Sequence, residues 1–114
     1  MRKRIVLKLS GEALAGDKRV GINHHKVNEI AAEIKTLFDL GNIDLSIVVG
    51  AGNIWRGRDA IESGMDRSSA DYMGMLATIL NALALQNSLE RLGCDTRTMT
   101  SLEIPSVAEP YIRR

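Results

Sequence analysis

Two short stretches carry the residue types that phosphate chemistry demands. In Arg4–Leu9 (RIVLKL) a lysine, Lys8, interrupts a β-branched apolar run, and Ser10-Gly11 follows it. Such a run is the pattern of a strand buried on both faces. An ammonium group in that setting is costly unless an anion or hydrogen-bond acceptor meets it. At a strand end, beside Ser10 and Gly11, the fitting anion is a phosphate. A lysine that snorkels past the strand end into water fits the same residues equally well. The second stretch is Gly50-Ala51-Gly52-Asn53, with Arg56 shortly after it. Residues without bulky side chains let a phosphate reach backbone N–H groups, and a guanidinium adds a planar fork of donors matched to phosphate oxygens. The glycines alone describe an ordinary strand-to-helix turn. Together with Arg56, and with Lys8 at another strand end, they point to phosphate binding.

Two familiar phosphate motifs are not met. Gly11-x-x-x-x-Gly16-Asp17-Lys18 approximates a P-loop, but Asp17 intervenes, neither Ser nor Thr follows Lys18, and no helix is expected to begin there. Gly50-x-Gly52 lacks the third glycine of a dinucleotide fingerprint, since Trp55 holds that place, and it follows the second strand rather than the first. Asp71 has two readings. An acid in the first turn of a long helix complements the helix dipole, and an acid near a ligand accepts hydrogen bonds from hydroxyls such as those of a ribose; the residues by themselves favour the cap. His24 and His25 are adjacent rather than one helical turn apart and lack a cysteine or acid cluster, so they read as solvated and no metal site is assigned. Met73 and Met75 read as packing residues. Gly74 between them costs a helix about 1 kcal/mol relative to Ala, which points to a close approach of a backbone or partner helix. Cys94 reads as core.

These residues need elements to position them. The 114 residues suit one domain, and with 45% apolar residues there is enough for a core. Strands are expected at Arg4–Leu9, Asp44–Val49 and Cys94–Met99. A helix from Asn23 presents Val27, Ile30, Ala31, Ile34, Leu37 and Phe38 at helical spacing and stops at Gly41. Ala60–Gly64 suits a single helical turn. A long helix opens at Ser68 with a capping-box form, Ser68-x-x-Asp71, shows Met75, Leu76, Ile79, Leu80, Leu83 and Ala84 as its apolar face, and closes before Gly93. Gly16–Gly21 is a polar loop. Glu109-Pro110-Tyr111-Ile112-Arg113-Arg114, with a proline near its start, reads as the first turn of a helix. The order β-α-β-α-β predicts a mainly parallel sheet with helical covers, and ligands in such sheets gather beyond the carboxyl ends of the strands, where both phosphate stretches fall. Three strands are few for a doubly covered sheet, so residues 1–114 are expected to be the N-terminal portion of a single larger domain, apparently truncated. The net charge of +1 sets up no global field for nucleic acid or anionic lipid. The single cysteine suits a reducing compartment, and no apolar stretch reaches the ~20 residues needed to span a bilayer. The chain is therefore expected to be cytoplasmic, without nucleic-acid or membrane partners.

KLSGEAL at Lys8–Leu14, GAGNIWRG at Gly50–Gly57 and MDRSSADYMGMLATILNALAL at Met65–Leu85 resemble the bacterial UMP kinases of the amino acid kinase superfamily. The Lys-x-Ser-Gly element is shared widely in that superfamily; the Asp-x-Met-Gly-Met-Leu-Ala-Thr stretch at Asp71–Thr78 is narrower. The resemblance implies a three-layer αβα sandwich, assembled as a homohexamer, that phosphorylates UMP to UDP with ATP and Mg2+ in pyrimidine nucleotide synthesis. It places Lys8, Leu9, Ser10, Gly11, Gly52 and Arg56 on ATP phosphates, with Lys8 and Arg56 catalytic, and Ala51 and Asp71 on UMP. It makes Gly16, Asp17, Lys18, Arg19, Val20 and Gly21 a GTP-responsive allosteric segment, with UTP as a further regulator. Where the family carries three glycines this chain has Gly50-Ala51-Gly52, so a methyl stands where backbone meets UMP. The resemblance also implies that the acidic catalytic residue and most of the adenine site belong to a later segment, so the 114-residue chain is expected not to form UDP alone. Two other readings share these loops: a relative whose acceptor is a carbamate or an acylated amino acid, and a nucleotide-binding module without catalysis.

Overall fold

Two β-branched runs make the sheet that carries both loops. β1 (Lys3–Leu9) and β2 (Ile43–Val49) pair in parallel, in a register that sets Lys3 beside Ile43 and Leu9 beside Val49. The computed structural model describes residues 2–18, 20–100 and 109–110. Between and after these strands come α1 (Gly11–Ala15), a 3₁₀ turn at Gly16–Lys18, α2 (His24–Phe38), α3 (Gly57–Glu62), α4 (Arg67–Arg91), β3 (Met99–Thr100) and β4 (Glu109–Pro110). Both strand pairs, β1–β2 and β3–β4, are parallel, and the mixture of helix and parallel strand is the expected α/β class.

The core lies on one face of β1–β2. Leu14 of α1, Val27, Ile30, Ala31 and Ile34 of α2, and Leu85 and Leu89 of α4 form it with Cys94, and Leu7, Leu9, Leu45, Ile47 and Val49 pack against it. The expectation that β1 is buried on both faces is corrected: Arg4, Val6 and Lys8 alternate with the inward residues and are exposed. Val6 is 67% and Val48 54% exposed, because the helices that form the core all meet the opposite face.

α2 follows its sequence pattern. Asn23 caps it, its side chain accepting from the Lys26 N–H at 3.1 Å, and its buried stripe is the expected Val27, Ile30, Ala31 and Ile34; Phe38 lies beyond that stripe and is exposed. α4 departs from its pattern in two ways. Asp66, not Ser68, is the N-cap: its carboxylate accepts from the Ser69 N–H and Oγ at 3.0 and 2.9 Å. Its buried residues are Ala70, Ala77, Ile79, Asn81, Leu85, Ser88 and Leu89; Ile79 is buried as expected, whereas Met75, Leu76 and Leu80 are exposed. Met73 is exposed as well, so neither methionine is a core residue. Small and polar residues allow α4 to pack closely on α2, where Ser88 Oγ donates to Asn28 Oδ1 at 2.7 Å.

The third expected strand is much shorter. Cys94 is buried as expected, but Asp95–Thr98 is held by side chains instead of a ladder: Gln86 Nε2 donates to Thr96 O at 3.2 Å, and Thr98 Oγ1 donates to Gln86 Oε1 at 2.7 Å. Glu109-Pro110 is a strand pair with Met99-Thr100, not a helix start; a proline, lacking an N–H, is confined to such edge positions in a sheet. No helix among the described residues is long and apolar enough to cross a membrane.

Candidate functional site

Because Leu9 and Val49 are register partners, the loops that leave β1 and β2 emerge side by side. The Gly50 N–H donates to Leu9 O at 2.9 Å and ties them together at their base. After Leu9 the chain turns at once into α1, a helix too short to show in the sequence pattern. Ser10 is its N-cap, accepting from the Ala13 N–H at 3.3 Å, so this hydroxyl has a local structural task.

Gly11 is where the two loops touch. A Cβ there would come within 2.5 Å of Gly52 N, 2.6 Å of Asn53 Oδ1 and 2.8 Å of Ala51 C. Two of these are backbone atoms that cannot swing aside, so the glycine is required by close approach. The Gly50–Asn53 turn is closed by Ala51 O, which accepts from the N–H groups of Ile54 and Trp55 at 2.9 Å each. Among the described residues the N–H groups of Ala51 and Gly52 have no acceptor. They are unspent donors at the end of the parallel pair.

Over this turn lies a residue that the sequence did not single out. The Glu12 carboxylate lies against Gly52, where a Cβ would overlap it, and Glu12 Oε1 is 3.4 Å from Arg56 Nη2. Both side chains are more than half exposed, so the pair is screened by water and weak. Glu12 escaped notice because an acid in the first turn of a helix is ordinary.

Trp55 fixes the turn against α4. Its Nε1 donates to Ala70 O at 2.9 Å, and a Cβ on Gly74 would meet Trp55 Cδ1 at 3.4 Å. The close approach anticipated at Gly74 is thus to an indole ring, not to a backbone or another helix. Asp71 follows Ala70 directly, is exposed, and stands 3.9 Å from Arg67 Nε one helical turn earlier. It is not the reciprocal member of a cap, since Asp66 is the N-cap and Ser69 stands three residues after it; the Ser69 N–H and hydroxyl hold the Asp66 carboxyl below its ordinary range.

Deeper in, Asn53 and Asn81 form a buried amide pair. Asn53 Nδ2 donates to Asn81 Oδ1 at 3.0 Å and Asn81 Nδ2 returns a bond to Asn53 Oδ1 at 2.7 Å. The second amide hydrogens go to Gly21 O (2.9 Å) and Gly50 O (2.8 Å). Asn81 belongs to the core stripe of α4 and gave no sequence signal, since a lone Asn in a helix reads as a surface residue.

Lys8 is placed differently from the expectation built on burial. It lies on the exposed face of β1 and makes no hydrogen bond or ion pair among the described residues. Burial therefore supplies no reason for an anion beside it; what remains is an unpaired ammonium one residue before the Leu9–Gly50 junction. The segment expected to be regulatory runs from Gly16, in the left-handed region at φ 57°, through Asp17 and Lys18 of the 3₁₀ turn to Val20, which is 73% exposed, and Gly21; Arg19 lies outside the described residues. A cleft of about 430 Å3 brings Val20 together with Gly52, Arg56, Asp59 and Met65. His25 faces Glu29 at 3.4 Å, and no group of three His, Cys, Asp or Glu suited to a metal occurs among the described residues.

The model of the amino acid kinase family matches residues 3–113. Among solved structures, UMP kinase from Ureaplasma parvum superposes with a TM-score of 0.89 at 38% identity, over 98% of this chain and 49% of that one. UMP kinase from Bacillus anthracis superposes with a TM-score of 0.87 at 46% identity, over 96% of this chain and 45% of that one. The chain thus spans about half the length of the kinases it matches. With a matching family model over nearly all of its residues and two kinases that share its fold above 30% identity, the chain belongs to the amino acid kinase family.

Proposed function

We propose that this chain forms the phosphate-positioning part of a UMP kinase, which transfers the γ-phosphoryl group of ATP to UMP. The observation that carries the reading is the junction of the two loops: the N–H groups of Ala51 and Gly52 have no acceptor among the described residues, Gly11 abuts their turn, and the Arg56 guanidinium stands beside Glu12, whose carboxylate lies against Gly52. Phosphoryl transfer asks little covalent chemistry of a protein and much positioning and charge neutralisation. In the reaction, a phosphate oxygen of UMP bonds to the γ-phosphorus of ATP while the bond from that phosphorus to the bridging oxygen of ADP breaks. Arg56 and the Gly50–Gly52 backbone hold the two phosphates in line, and Lys8 offsets negative charge on the transferring group. Asp71, exposed beside the Trp55–Ala70 bond, accepts from the ribose hydroxyls of UMP.

Magnesium accompanies ATP in this reading. No residue of this chain is assigned to the ion. The same reading includes GTP and UTP as regulators and a six-copy assembly, all taken from the family resemblance.

A thermal-shift comparison tests the acceptor. UMP raises the melting temperature of the chain, because a ligand that binds only the folded state stabilises it by mass action, whereas N-acetylglutamate and carbamate at equal concentration do not. A shift from either of these that matches or exceeds the UMP shift contradicts the reading.

A further inference from the structure

The Asn53–Asn81 pair does more than fill the core. Asn53 is 2% exposed and Asn81 fully buried. The four amide hydrogens have four acceptors: the two side-chain oxygens of the pair, Gly21 O and Gly50 O. Gly21 returns a bond, its N–H donating to Asn53 O at 2.7 Å. Gly11 abuts the same side chain, since a Cβ there would lie 2.6 Å from Asn53 Oδ1. Four pieces of chain therefore meet at one polar joint: the end of the Gly16–Gly21 loop, the loop after β1, the turn after β2, and α4. Apolar residues could pack this space, but they could not fix the two backbone carbonyls. A fully satisfied buried network specifies one arrangement and resists partial change.

We infer that Asn53 and Asn81 are positioning residues whose reciprocal amide pair couples the Gly50–Gly52 phosphate turn to the Gly16–Gly21 loop, so that a phosphate ligand on the turn orders that loop. The inference rests on the proposal that the turn binds phosphate. The coupling is mechanical. Gly50 O and Gly21 O are held by neighbouring amide hydrogens of one pair, so a shift of the turn breaks or strains the bonds that hold Gly21. In the loop, Lys18 is open to solvent and Val20 is part of the cleft that Gly52 and Arg56 also line.

Limited trypsinolysis at Lys18, followed by mass spectrometry, reads the loop; calorimetric titration of UMP reads the turn. In the wild-type chain, saturating UMP slows cleavage after Lys18, an arm that needs no variant. Without ligand, Asn81→Ala speeds that cleavage, and it weakens UMP by about tenfold, the effect of losing one or two buried hydrogen bonds. The paired variant Asn53→Leu with Asn81→Leu replaces both side chains by apolar groups of similar shape, at the cost of the donors to Gly21 O and Gly50 O. It keeps a cooperative melt yet shows fast Lys18 cleavage that UMP no longer slows. Asn53→Ala and Asn81→Ala combined do no worse than either alone, because they act as one unit. The inference is overturned if UMP binds the wild-type chain without slowing Lys18 cleavage, or if the paired leucine variant retains the protection. Failure of UMP to bind the wild-type chain at all, with Asn81→Ala still loosening Lys18, instead contradicts the phosphate turn while leaving the joint itself in place.

Discussion

At the scale of residues, the charge in the phosphate turn is set by a contest. The Glu12 carboxylate lies against Gly52 and 3.4 Å from Arg56, on the donors that a phosphate would take. Glu12→Gln removes a competing charge and a source of repulsion, and should tighten UMP binding several-fold in calorimetry. Arg56→Ala removes the charged fork and should weaken it by about tenfold or more, as expected for a charge-assisted contact. Asp66 gives a separate test by pH. Its carboxyl is held low by the Ser69 N–H and hydroxyl, so the unfolded chain takes up the proton at higher pH than the folded one. The stabilisation is present above the ordinary carboxylate range near about pH 4 and is lost as the pH falls through the folded value. Melting curves of wild type and Asp66→Ala should therefore differ by a few degrees at pH 7 and converge in acid.

At the scale of elements, α2 and α4 teach opposite lessons about what the sequence discloses. In α2 the large apolar residues are the buried ones, and the 3.6-residue period finds Val27, Ile30, Ala31 and Ile34 directly. In α4 the period misleads, because its buried stripe includes Ala70, Ala77, Asn81 and Ser88, while Leu76 and Leu80 face outward. In this helix side-chain size does not track burial. Glu12 and Asn81 were hidden for a related reason: their types are ordinary at a helix start and on a helix surface, and only packing shows what they touch. The phosphate loops are legible because glycines and one arginine at strand ends have few other uses, although the cost of burying Lys8 disappears with its exposure. Two variants check the packing. Leu85→Ala should cost about 2–5 kcal/mol in denaturant unfolding, the range for a large-to-small change in a core. Gly11→Ala should abolish UMP binding and also lower the melting temperature, since its methyl would push on Gly52 N and on Asn53 Oδ1 of the buried amide pair.

At the scale of the whole molecule, the β1–β2 pair is covered on one face, and its other face shows Val6 and Val48 to solvent. Lysine at both positions should leave the melting temperature within a few degrees, because neither side chain is packed. Lysine at Leu7, against the core, should prevent a cooperative melt by placing an unpaired charge in an apolar cluster. The chain as a whole carries a net charge of only +1, so attraction for a nucleotide must arise at the turn and not from a general field. That makes the phosphate the decisive part of the ligand. The most direct measurement is a pair of calorimetric titrations of this chain, with UMP and with uridine. UMP should bind at one site, uridine should bind at least about tenfold more weakly, and Arg56→Ala should bring UMP down to the uridine level. Equal affinity for the two ligands, or UMP binding that is indifferent to Arg56, would contradict phosphate binding at the turn.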